Sequence, residues 1–101
     1  MTSFGRWQIR SWDIARMYEI VFHRDFVKDL KKISPDVVKQ IRKAITQKLT
    51  FRPNDFKFLT GKMVGLQRLR VGDYRIIYNV QGERVNVLAV GHRSKIYYIK
   101  E

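Results

Sequence analysis

Cysteine is absent from this 101-residue chain, and histidine is nearly absent at two residues. A disulfide framework and thiolate chemistry are therefore excluded, and too few soft ligands remain for an ordinary zinc site. No metal or other cofactor is expected. Proline is scarce as well, with two residues, and both punctuate the chain. Acidic side chains are outnumbered, 9 Asp+Glu against 21 Lys+Arg, for a net charge of +12. Such an imbalance asks for an anionic partner, most simply nucleic acid, although an acidic protein or an anionic membrane surface would also fit. No apolar run approaches the roughly 20 residues of a membrane span, so the expected setting is the cytoplasm. What the chain does contain is 45% hydrophobic and 13% aromatic residues. That is too much for global disorder and enough for one domain with a modest core.

The most informative stretch runs from Leu66 to Val80. Two alternating runs flank Gly72-Asp73, and glycine first in a two-residue turn supplies the positive φ of a hairpin turn. The implied register pairs Val71 with Tyr74, Arg70 with Arg75, Leu69 with Ile76 and Arg68 with Ile77. Strand side chains alternate faces, so Leu69, Val71, Tyr74, Ile76 and Tyr78 should share a core face, with Arg68, Arg70 and Arg75 on the other. Like charges directly opposite destabilise a strand pair. Arg70 facing Arg75 therefore asks for an anion, and the guanidinium fork suits phosphate. The plainer alternative is a solvated face whose arginines find carboxylates.

Residues 1–16 fit neither a helical nor a strand period and read as an N-terminal extension, leaving 17–101 as the domain. Tyr18 to His23 alternates as a strand, and no role is expected for His23. Phe26, Val27, Leu30 and Ile33 recur at helical spacing. Ser34-Pro35-Asp36 then starts a second helix, with Ser34 as N-cap. Its apolar stripe of Val37, Val38, Ile41, Ala44, Ile45 and Leu49 runs to about Thr50, and Arg52-Pro53 stops it. Asn54 to Gly65 reads as a loop in which Phe56, Phe58 and Leu59 pin to the core. Lys57 and Lys62 beside those aromatics are candidate nucleic-acid contacts. A second turn at Gly82-Glu83 pairs Val80 with Val85, Tyr78 with Val87 and Ile76 with Ala89. Ile77, Leu88, Val90 and His92 would then join the arginine face as an apolar floor ringed by cations. The expected fold is α+β: a small antiparallel sheet of about four strands in the order β-α-α-β-β-β, with the helical hairpin packed on one face.

The order of elements, the Leu66–Tyr78 motif and Val90-Gly-His-Arg93 followed by tyrosine resemble the RelE/ParE toxin superfamily, over about residues 17–98. The resemblance implies a small curved antiparallel sheet and the toxin of a type II toxin–antitoxin system. In the RelE-like branch such a toxin is a ribosome-dependent endoribonuclease that cuts mRNA in the ribosomal A site. In the ParE-like branch it inhibits DNA gyrase without cutting RNA. Implied partners are an acidic RelB-like antitoxin, the ribosome and mRNA, with no membrane. Arg68 and Arg70 match the basic residues of the second strand, Arg75 the arginine at the scissile phosphate, Arg93 the late arginine and Tyr97 the C-terminal tyrosine, with Tyr98 as its alternate and a further RNA contact. Metal-free cleavage by the neighbouring 2′-OH needs a base, an acid and cations for the phosphorane. Arginine does not deprotonate, which turns attention to His92 and Tyr97 for the proton transfers; plain alternatives for them are strand-end capping and core packing. Gln67 stands where many relatives carry an aromatic.

Overall fold

The computed structural model describes residues 17–96. The N-terminal extension, Tyr97 and Tyr98 therefore lie outside the described residues.

β1 (Glu19–Phe22) is followed by α1 (Arg24–Leu30). His23 sits at the N-cap of α1 with extended backbone, and its Nδ1 accepts a hydrogen bond from the Asp25 amide at 3.1 Å. The histidine left without an expected role thus closes one orphan donor of the helix. α2 (Pro35–Ala44) begins at the expected proline and carries Asp36 in its first turn, where the helix dipole favours negative charge. Ser34 takes the N-cap position, but its side chain makes no capping bond. The fixed φ of Pro35, which has no amide proton to satisfy, starts the helix without the hydroxyl. The last turn widens into a π-helical segment, Ile45–Leu49, which keeps both Ile45 and Leu49 buried.

The remaining strands are β2 (Lys57–Phe58), β3 (Gln67–Val71), β4 (Tyr74–Gln81) and β5 (Arg84–His92). They form one five-stranded sheet in the order β1-β5-β4-β3-β2. The α+β architecture is as expected, with two refinements. The loop after α2 contributes the short fifth strand β2. β1 runs parallel to β5 rather than antiparallel, because the α1–α2 hairpin crosses the sheet between it and the later strands. The β3–β4 register is the one implied by Gly72-Asp73, from Val71 opposite Tyr74 down to Gln67 opposite Tyr78. Gly72 and Gly82 open the two hairpin turns with φ of 60°, and no described non-glycine residue has positive φ, as a turn with glycine first requires.

One face of the sheet packs on the helices. Leu69, Ile76, Tyr78, Val85, Val87 and Val90 are buried there against Phe26, Ile41, Ile45 and Leu49. The β4–β5 register departs from the expected one beyond Tyr78. It shifts between Ile77 and Tyr78, so that Tyr78 lies opposite Val87 but Ile77 lies opposite Ala89 and Ile76 opposite Val90. Leu88 is the extra residue of this β-bulge, and a one-residue slip exchanges faces for everything beyond it. Val90 therefore belongs to the main core, and Ala89 lies on the arginine face. Asp29 Oδ2 of α1 accepts from the Val90 amide at 3.3 Å, tying helix to strand just past the bulge. Behind the sheet, Ile77, Ala89 and Ile96 form a second buried cluster, packed against by Leu59, Met63 and Leu66. The apolar floor expected on the arginine face is thus roofed over. In the loop, Phe56 and Leu59 reach the two clusters as expected. Phe58 does not, being 58% exposed, because its strand forms the sheet edge.

Candidate nucleic-acid interface

The cations of the central hairpin do share one face. Arg68 lies opposite Ile77 and Arg70 opposite Arg75, while Leu69 and Val71 point to the main core. β2 adds Lys57 to the same face, directly opposite Arg68. Lys62 lies in the turn Gly61–Met63, whose Met63 packs on the second cluster of that side.

Arg75 is placed differently from its neighbours. It is 7% exposed, and its Nη1 donates to the carbonyls of Gly72 and Tyr74, both at 3.0 Å. The guanidinium braces the hairpin turn from behind, while Arg70 opposite it is exposed. Arg93 follows β5 and meets the tip of the same hairpin. Its amide donates to the Asp73 carbonyl at 2.8 Å, and its exposed guanidinium has Nε 4.0 Å from Asp73 Oδ1.

His92 departs from its expected place. The bulge puts it opposite Tyr74, and the two rings meet edge to face with centroids 5.7 Å apart. Tyr74 packs on the main core, so His92 lies on the face opposite Arg68, Arg70 and Arg75. Its Nδ1 accepts from the Ser94 amide at 3.2 Å and lies 2.9 Å from the Ser94 hydroxyl. These contacts cap the strand end. If His92 transferred a proton during RNA cleavage, its loss would reduce the rate by roughly a hundredfold or more. From its position, any cleavage of the kind the resemblance implies is expected to lose far less in His92→Gln, as read by product yield against time.

A buried polar node was not expected from the sequence. Gln67 is buried, and its Nε2 donates to the Pro53 carbonyl at 2.9 Å. The Tyr78 hydroxyl donates to the same carbonyl at 2.5 Å. Together they tie β3 and β4 to the short helical turn Pro53–Asp55 and hold the base of the arginine-bearing hairpin. The sign of it was a glutamine at a core-facing position of an alternating strand, since a buried amide must find partners. Burial, aided by the nearby Asp55 carboxylate, pushes the Tyr78 hydroxyl well above the ordinary tyrosine range. The folded state therefore holds this proton where the unfolded chain, with a pKa of about 10, releases it. The resulting stability is complete below pH 10 and declines above it, by up to about 1.4 kcal/mol per pH unit. Tyr78→Phe is expected to flatten that part of the alkaline decline in Tm, read by thermal melts of both proteins from neutral pH upward.

A two-helix, five-stranded fold presenting cations on its central hairpin defines a class of small basic α+β proteins, and known proteins share it. A family model described as "ParE toxin of type II toxin-antitoxin system, parDE" matches residues 20–97. The chain is 35% identical over 83 residues to Toxin RelE3 of Methanocaldococcus jannaschii, covering 78% of this chain and 94% of that one. Among solved structures, it resembles the RelBE2 toxin–antitoxin complex of Mycobacterium tuberculosis, with TM-score 0.72 and 26% identity over 76% of this chain and 99% of that one. It also resembles the RelB–RelE antitoxin–toxin complex of Methanococcus jannaschii, with TM-score 0.62 and 29% identity over 80% of this chain and 99% of that one. The chain belongs to the RelE/ParE family of toxins of type II toxin–antitoxin systems.

Proposed function

We propose that this toxin is a ribosome-dependent endoribonuclease that cuts mRNA in the ribosomal A site and so stops translation. The observation that carries this reading is the row of Lys57, Arg68 and Arg70 on one face of the central hairpin, and the identity to Toxin RelE3 supports it. In the proposed reaction the 2′-oxygen attacks the adjacent phosphorus and the 5′-oxygen leaves. The products are a cyclic phosphate upstream and a 5′-hydroxyl downstream. Arg68, Arg70 and Arg93 would offset the charge of the phosphorane, and Arg75 would hold the hairpin that carries Arg70. Tyr97 remains the candidate for moving the 2′-OH proton, and Lys57, Lys62 and Tyr98 the candidates for gripping the message. The net charge of +12 suits an acidic antitoxin; the two solved relatives described above are themselves toxin–antitoxin complexes. A cytoplasmic location follows from this target, and no helix of the described residues is long and apolar enough to cross a membrane.

The second reading is a gyrase inhibitor of the ParE type. It is favoured by the ParE description of the matching family model and by His92 standing away from the arginine face. The deciding experiment is translation of a reporter mRNA in a purified bacterial system, with the 5′ ends of the message mapped. Cuts at A-site codons that require ribosomes and leave 5′-hydroxyls are expected. An intact message together with inhibited supercoiling by gyrase would replace this reading with the second.

A further inference from the structure

We propose that residues 1–16 of this chain cover its own open sheet edge at β1, with Trp7 and Trp12 in the contact. The inference is independent of what the toxin cuts. β1 is the outermost strand and, among the described residues, pairs with β5 alone. In that parallel ladder the Glu19 and His23 amides donate to the Glu83 and Val87 carbonyls at 2.8 and 2.9 Å. Successive residues of a strand point their backbone groups to opposite sides, so those of Ile20 and Phe22 look out along the edge. Ile20 packs on the main core, yet no residue of β1 is fully buried. Met17 and Val21 are exposed, and Phe22 is 49% exposed although it stacks on Phe26 with centroids 5.4 Å apart. Val27 adds another exposed apolar side chain just past His23, whose carbonyl accepts its amide at 3.2 Å. An open edge flanked by apolar side chains is a template for pairing with other chains, and native folds cover such edges.

Charge selects the occupant. Glu19, Asp25 and Asp29 against Arg24 and Lys28 make residues 17–29 net −1 in a chain of +12. Residues 1–16 carry Arg6, Arg10 and Arg16 against Asp13, net +2, together with Phe4, Trp7, Ile9, Trp12 and Ile14. A basic apolar segment therefore meets a locally acidic apolar edge. An acidic partner would be repelled at this corner, and a second copy would bring its own +12 with it. Residues 1–16 join the domain at Met17, two residues before β1. Covering the edge thus closes only a short loop, at a small entropic cost. The four residues of β1 span about 13 Å, well within the reach of sixteen residues.

The composition supplies the probes. Trp7 and Trp12 are the chain's two tryptophans, so indole signals report on residues 1–16 alone, and the absence of cysteine lets a single introduced thiol carry a spin label. The full chain is labelled at Arg24→Cys, an exposed site beside the β1 end, or at Val64→Cys, 75% exposed in the loop that joins β2 to β3 at the far edge of the sheet. The Arg24→Cys label is expected to remove most of the intensity of both indole N–H signals, and the Val64→Cys label to spare them. Equal loss from the two labels, or no loss from either, would overturn the proposal. So would loss of the indole signals of label-free nitrogen-15 chains mixed with spin-labelled nitrogen-14 chains, because a second copy would then be the cover. A second measurement removes the apolar contact. In Phe22→Gln/Val27→Gln the tryptophan emission should shift to the red and its quenching by acrylamide should rise, with the amide spectrum of β4 and β5 retained. Emission and quenching identical to wild type in that variant would mean that β1 and α1 offer the tryptophans no apolar cover.

Discussion

If the toxin cuts mRNA as proposed, Arg70→Ala is expected to reduce that cleavage by about a hundredfold or more while leaving the melting temperature nearly unchanged, whereas Arg75→Ala is expected to lower both. The two residues face each other in the hairpin and differ in what their guanidiniums do. Arg70 is exposed, so truncating it removes charge from the face but no buried contact. Its stability effect should stay within about 0.5 kcal/mol, and relief of like-charge repulsion even favours the variant. In the proposed reaction its kinetic effect is that of a donor to developing negative charge, for which single deletions cost about 10²–10³ in rate. Arg75 is nearly enclosed and braces two turn carbonyls. Hydrogen bonds from a charged donor contribute about 1.5–3 kcal/mol, which for a domain of this size means a fall in Tm on the order of 10 °C. The hairpin tip that carries Arg70 then loosens, and activity falls with it. Calorimetry beside end-mapped cleavage reads both quantities. Wild-type cleavage by Arg70→Ala would show that this face does not hold the scissile phosphate, and an unchanged Tm in Arg75→Ala would show that the brace contributes nothing.

The contrast between those two arginines also marks how far the sequence could be read. Period-two alternation and Gly72-Asp73 determine every pair of the β3–β4 ladder, so the shared face of Arg68, Arg70 and Arg75 was legible. That Arg75 turns back on its own turn was not, because alternation specifies a face and says nothing of rotamer. The bulge at Leu88 was invisible for a related reason. Val87, Leu88, Ala89 and Val90 are all apolar, so nothing in the pattern identifies the inserted residue, yet the insertion moves His92 away from the arginines and brings Gly91 opposite Arg75. The parallel pairing of β1 with β5 is a contact between distant segments, which local patterns do not encode. Lys57 was legible as a basic residue among aromatics, but its place opposite Arg68 depends on a two-residue strand too short to show any period.

Gly91 carries the other large expected effect. Its backbone is not in the left-handed region, so the glycine serves close approach rather than an unusual turn. A Cβ at this position would stand 2.9 Å from Ile96 Cδ1, 3.5 Å from its Cβ and 3.7 Å from its Cα. Ile96 is fully buried and completes the cluster with Ile77 and Ala89 behind the sheet. In Gly91→Ala the conflict is with the end of a flexible side chain, which can rotate aside, at a cost of about 1 kcal/mol. Valine adds two γ-carbons, one of which must meet the less mobile part of Ile96. Gly91→Val is therefore expected to expel Ile96 and lose its burial, about 2–5 kcal/mol on the scale of isoleucine truncations in cores. Ile96→Ala alone should cost a similar amount through the cavity it leaves, but the two losses share one space. In Gly91→Val/Ile96→Ala the valine fills part of that cavity, so the double variant should be more stable than the sum of the single effects predicts by 1 kcal/mol or more, roughly the coupling of residues in contact. Denaturant unfolding of the four proteins measures this coupling. Additive losses would mean that Gly91 and Ile96 act independently, and that the glycine is not what admits the isoleucine to the back of the sheet.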